Sequence, residues 1–136
     1  MNGISAIAVS GMNAAAQRLD VAASNVANAF TTGALPAANG AVPAGAPQAY
    51  TALQVDQTAA AGGGTQTTVT AANPSYVAAY SPQASFANQD GLVAAPNVDL
   101  AQEFVGQLLA SYSFAANAAT LKANDRMTKS LLDVTA

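Results

Sequence analysis

Residues 4–29 read ISAIAVSGMNAAAQRLDVAASNVANA, a run of 26 residues without proline and with Gly11 as its only glycine. Val9, Met12, Ala16, Leu19, Ala23 and Val26 recur along it at spacings of 3, 4, 3, 4 and 3. That alternation keeps a stripe on one face of a helix and is the a/d pattern of helix-on-helix packing. Ala8, Ala15 and Ala22 flank the stripe, so the face is smooth and permits close approach. At 1.5 Å per residue such a helix is about 40 Å long. Gly11 either costs about 1 kcal/mol relative to alanine inside the helix or marks where an early, fraying segment gives way to the stable helix.

The helical pattern returns from Asn97. Asn97 or Asp99 is placed to cap a helix, and Glu103 falls in the first turn, where a carboxylate favours the helix dipole. Val105, Leu109, Tyr112, Ala116, Ala119, Ala123, Met127, Leu131 and Val134 then step by 3 or 4, and Phe104, Leu108 and Ala115 widen the stripe. Lys122, Arg126 and Lys129 lie towards the far end, where cations suit the dipole.

Between the two patterns the material changes. All six prolines lie between Pro36 and Pro96, together with the run Gly62-Gly63-Gly64. Tyr50 to Val55 and Gln66 to Thr70 read as strands, with Tyr76 to Tyr80 a weaker third. The glycine run between the first two is a hairpin tip or a flexible link. The expected fold is mainly α: long N- and C-terminal helices pack as a coiled-coil-like pair, separated by an irregular β-hairpin-containing insert. The expected segments are 1–33, 34–96 and 97–136.

Composition narrows function. Hydrophobic residues make up 51% of the 136, but aromatics only 6%, so alanine supplies much of the apolar content and little of the buried area. A chain of this size is already marginal for surface-to-volume reasons. Charged residues are 8%, against about 25% in typical soluble domains, so little repulsion keeps copies apart. Both features point to a chain that completes its folding against neighbours. The net charge is −3, with Arg18, Lys122, Arg126 and Lys129 as the only cations, which argues against nucleic-acid binding.

The sequence has no cysteine and no histidine, so there is no disulfide framework, no thiolate metal site and no histidine base. Ser10, Ser24 and Ser111 therefore lack a triad partner. Asp99 and Glu103 read as cap and dipole residues in preference to a metal or acid–base pair. Gly62-Gly63-Gly64 lacks the ending of a phosphate loop. The expectation is a non-enzyme with no cofactor, no metal and no small-molecule substrate. Met1 to Gly11 has no basic segment followed by a long apolar run, so no cleaved signal peptide is expected.

The run from Ser10 to Asn28, centred on Ala23-Ser24-Asn25-Val26-Ala27-Asn28 and followed by Thr31-Thr32-Gly33, resembles the opening signature of the flagellar rod and hook protein family. Asp90-Gly91-Leu92-Val93 leading into Pro96-Asn97-Val98-Asp99-Leu100, then Glu103, Ala115-Ala116-Asn117 and Leu131-Leu132-Asp133-Val134, resemble its C-terminal helix. The phrase at 90–99 is closest to the family's proximal rod members. The resemblance covers about residues 4–33 and 90–134, and the alanine-, glycine- and threonine-rich stretch 34–70 departs from it.

The resemblance implies a structural subunit of the bacterial flagellar basal-body rod, in the periplasm-spanning part. Such a subunit is exported unfolded by the flagellar type III apparatus on an uncleaved N-terminus, and polymerises into a helical drive shaft that transmits torque for motility. The implied partners are further copies, other rod proteins, and membrane-ring and export-gate adaptor proteins. The residues expected to pack subunits are Val9, Met12, Ala16, Leu19, Ala23, Val26, Phe104, Val105, Leu108, Leu109, Tyr112, Ala116, Ala119, Met127 and Leu131. Ser24, Asn25, Asn28, Gly33, Pro96, Asn97 and Asp99 carry the family motif. For Asn25 and Asn28 the favoured role is a turn or C-cap, and for Gly33 a backbone with positive φ where the helix exits. The competing reading is a small secreted helical binding module or chaperone-like protein that borrows the terminal helices.

Overall fold

A computed structural model describes residues 3–37 and 40–135; the side chains of residues 134 and 135 lie outside that description, and with them Val134 at the end of the expected stripe. Residues 1, 2, 38, 39 and 136 of the expected segments also fall outside it. The element order is α1 (Gly3–Asn28), β1 (Leu53–Ala59), β2 (Thr65–Ala71), β3 (Tyr76–Tyr80), β4 (Leu92–Pro96) and α2 (Leu100–Thr135).

This order corrects the expectation of a mainly α chain with an irregular insert. The layout is helix–β–helix, with 47% helix and 19% strand among the described residues. The insert forms two antiparallel pairs, β1 with β2 and β3 with β4. β1 and β2 are Thr/Val-bearing and read as strands, although β1 starts at Leu53, three residues later than expected, with Tyr50 committed elsewhere. Tyr50 donates its N–H to Thr31 O (3.0 Å), whereas Ala52 O accepts from Ala72 N (2.8 Å) and so continues the β1–β2 ladder by one bond. β3 falls where expected, whereas β4 went unread. Leu92-Val93-Ala94-Ala95-Pro96 is short, alanine-rich and closed by proline, so its own propensity is weak. It is a strand because it is buried: Val93 and Ala94 are each 1% exposed.

The two helices run antiparallel. Ser5 faces Asn124 (3.1 Å), Gly11 meets Asn117, and Asn25 meets Glu103 (2.6 Å), so position falls along α2 as it rises along α1. The seam is made of small residues. Ala8, Ala15, Ala22 and Asn25 are buried on α1, opposite Ala110 and Asn124 of α2. An alanine heptad lets two backbones approach closely and pushes the larger Val9–Leu19 ridge out of the centre of the pair. Gly11 belongs to this seam and interrupts nothing, since α1 is continuous through it. A Cβ there would lie 2.6 Å from Asn117 Oδ1.

The β1–β2 hairpin lies back along α1. Ile7 and Ser10 meet its glycine tip, and Ser10 Oγ accepts from Thr65 N (3.2 Å). Thr67 Oγ1 donates to Gln17 Oε1, and Arg18 donates to Gln57 Oε1. Ala14 and Val21 are buried within the same heptad-spaced stripe. The run Gly62-Gly63-Gly64 is thus a docked hairpin tip, with Gly63 and Gly64 at positive φ. Helix α1 consequently sits between α2 on one side and the hairpin on another.

Candidate interaction surface and the junction that sets it

The family-motif residues converge where α1, the insert and α2 meet. Asn25 is 1% exposed, and its amide is fully engaged. Nδ2 donates to Leu53 O (2.8 Å) and to Glu103 Oε1 (2.6 Å), while Oδ1 accepts from Leu53 N (3.0 Å) and Tyr50 OH (3.0 Å). Ser24 Oγ lies 3.0 Å from the same tyrosine hydroxyl. Burying an amide without partners costs about 1–3 kcal/mol, so this complete set is what allows asparagine there.

Asn25 is therefore not a turn or C-cap residue, and no residue other than glycine has positive φ among those described. Asn28 ends α1; its Nδ2 bonds back to Ser24 O (2.9 Å) and its carbonyl accepts from Thr31 N (3.0 Å).

Gly33 also differs in mechanism from the expectation. Its φ is not positive. The requirement is space: a Cβ would lie 2.1 Å from Ala49 N and 2.3 Å from Gln48 C, because the 47–49 backbone crosses directly over it. Gly33 exchanges two hydrogen bonds with Ala94, each 2.9 Å, extending the β3–β4 pair by one bridge. Pro96 is buried at the end of β4, and Asn97 ties to the preceding turn through Pro74 O (2.9 Å) and Ser75 O (3.1 Å). Asp99 caps α2, with Oδ1 accepting from Ala101 N (2.9 Å) and Gln102 N (3.1 Å). Glu103 does more than face the dipole, since it holds Asn25.

The residues expected to pack subunits lie elsewhere. On α1, Val9, Met12 and Val26 are half-buried, and Ala16, Leu19 and Ala23 are exposed. On α2, Phe104, Val105, Leu108, Leu109 and Tyr112 are exposed at 55–66%. At about 100° per residue, Leu108 and Tyr112 lie nearly opposite Ala110, which faces α1. Ala116, Ala119, Met127 and Leu131 are likewise exposed, and α2 runs about ten residues past the point where it faces Gly3. A groove of about 300 Å³ runs between the helices, lined by Ala15, Ala16, Leu19, Ala110, Ser111 and Phe114. A second cleft, of about 570 Å³ and more polar, separates the hairpin from α2 and includes Arg18, Leu53, Val55, Gln102 and Leu109. Tyr50 packs inward, whereas Tyr80 (75%) and Phe30 (83%) stand in solvent and carried no sequence signal marking them as exposed.

Large exposed apolar faces on a small chain mark protein–protein contact. The described residues hold no group of three His, Cys, Asp or Glu side chains able to grip a metal ion, and no helix among them is long and apolar enough to cross a membrane.

Comparison with protein families gives two matches. Residues 6–34 match the model described as flagella basal body rod protein, and residues 89–134 match the flagellar basal body rod FlgEFG protein C-terminal model. Together they span more than half of the chain and bracket both helices. No curated protein matches it. The matched segments carry the Asn25 junction on one side and the Asp99 cap and exposed α2 face on the other, and by them the chain belongs to the flagellar basal-body rod and hook protein family, a family of structural components and not of enzymes.

Proposed function

We propose that the chain is a subunit of the proximal part of the flagellar rod, and that it polymerises with copies of itself and with other rod proteins into the helical shaft that carries torque. The observation that carries this reading is the apolar face of α2 from Phe104 to Tyr112, which the chain's own fold leaves exposed. The intrachain seam uses alanine, glycine and asparagine, so the bulky face of α2, with Leu19 of α1, remains for neighbours. Contacts of this head-to-tail kind, repeated without closing, give a helical filament. Low charge removes repulsion between copies. The thin alanine seam keeps the lone chain easy to unfold, which suits passage through the flagellar type III export apparatus before assembly across the periplasm. Membrane-ring and export-gate adaptor proteins are the partners expected at the base. In this reading 1–33 and 97–136 form the inner axial domain and 34–96 the arm.

The test is Leu108→Glu combined with Tyr112→Glu. Both side chains point away from α1, so the helical content of the isolated chain should be unchanged. Incorporation into basal bodies, and motility, should be lost. Normal incorporation by this variant would refute the proposal.

A further inference from the structure

The β1–β2 hairpin is held to the rest of the chain by few ties. Its strands are mostly exposed, and a two-stranded hairpin is marginal on its own in water. The contacts through Ser10, Gln17 and Arg18 are polar and lie at or near the surface. Asn25 is the fully buried polar tie. Its amide holds both the N–H and the C=O of Leu53, as a neighbouring strand would, and so satisfies the edge of β1 at that residue.

An asparagine amide has two unlike ends of nearly equal shape. For the hairpin to dock, Oδ1 must meet Leu53 N and Tyr50 OH, and Nδ2 must meet Leu53 O. Once docked, the Leu53 backbone distinguishes the ends itself; before docking, the group that does so is Glu103 on α2. Its carboxylate only accepts, so it bonds the Nδ2 end (2.6 Å) and fixes the amide in the orientation the hairpin needs. Without α2 seated, nothing on α1 selects that orientation.

The geometry points to Asn25 as a coupling residue: pairing of α2 with α1 sets the amide through Glu103, and the set amide then docks the β1–β2 hairpin. Hairpin docking is thereby conditional on helix pairing, and by linkage the docked hairpin strengthens the pair in return. The arm takes its place only in a chain whose two ends have already met. This coupling is a property of the single chain and holds whatever the chain assembles with.

The experiment is hydrogen–deuterium exchange on the full chain, following residues 53–71 and, separately, the mid-seam segments around Ala15 and Ala110. Glu103→Ala should speed exchange in 53–71 by about tenfold, the effect of losing one hydrogen bond to a charged group, with the mid-seam segments little changed. Glu103→Gln, whose amide can turn either its oxygen or its NH2 towards Asn25, should restore only part of the protection, and full restoration would overturn the orienting role of the carboxylate. Asn25→Ala should speed hairpin exchange at least as much, and adding Glu103→Ala to it should add nothing. If Asn25→Ala does not fold, Tyr50→Phe takes its place in the cycle, again with a combined effect smaller than additive. Unchanged hairpin exchange in Glu103→Ala, full additivity in the cycle, a uniform rise across hairpin and seam alike, or uniformly fast exchange in the unmodified chain would each overturn the coupling.

Discussion

Replacing Gly33 by alanine inserts one methyl group into the crossing of two backbone segments. The added Cβ would stand 2.1 Å from Ala49 N, 2.3 Å from Gln48 C and 2.6 Å from Pro47 O. All three are main-chain atoms, so no rotamer change relieves the overlap, and the two segments must separate by an ångström or more to reach ordinary carbon contact of about 3.5 Å. Four hydrogen bonds span or flank that crossing: the two between Gly33 and Ala94, Ala34 N to Pro47 O (2.8 Å) and Tyr50 N to Thr31 O (3.0 Å). At about 1 kcal/mol net for each, their loss costs about 3–4 kcal/mol, a large share of the roughly 5–15 kcal/mol that holds a small domain together. Displacing Tyr50 also withdraws its hydroxyl from Asn25. In urea unfolding followed by circular dichroism and tyrosine fluorescence, the midpoint of Gly33→Ala should fall by more than about 1 M. A midpoint within 0.3 M of the parent, a span of about half a kcal/mol at typical slopes, would refute the crossing as the reason for glycine.

Other perturbations separate the remaining assignments. Gly106 in α2 has no atom within 4 Å of an added Cβ, so Gly106→Ala should stabilise the chain by about 0.5–1 kcal/mol in the same unfolding assay. Asp99→Ala removes the acceptor for Ala101 N and Gln102 N and should destabilise by about 1 kcal/mol, with Asp99→Ser recovering most of it. Asn117→Ala should be tolerated better in a Gly11→Ala background than in the parent, because the carboxamide that the new methyl group strikes is then absent; equal costs in both backgrounds would show that the two residues do not meet.

Both helices were legible because their apolar spacing persists over many turns, and Asp99 because a capping acid before a helical run has a local signal. The choice of seam was not. Periodicity alone cannot say which of two adjacent heptad stripes pairs with α2, and apolar size favours the stripe of Val9, Met12 and Leu19. Close packing instead selected the alanine stripe at 8, 15 and 22, where backbones can approach. β4 was hidden because alanine strands exist by burial and not by propensity. Gly33 was legible as a glycine requirement, but its cause is a contact with residues 47–49, about fifteen positions away in the chain. Asn25 stood out within a motif, yet its four partners come from residues 50, 53 and 103, and only the fold brings them together.

The central claim, that the exposed α2 face is covered by neighbouring subunits, is tested most directly by the reactivity of a single thiol. The sequence has no cysteine, so Leu108→Cys introduces a unique reporter at a position 55% exposed in the single chain. The account predicts rapid labelling by a soluble maleimide in the dilute chain and strong protection in isolated basal bodies that contain it. Equal labelling in both states would contradict it.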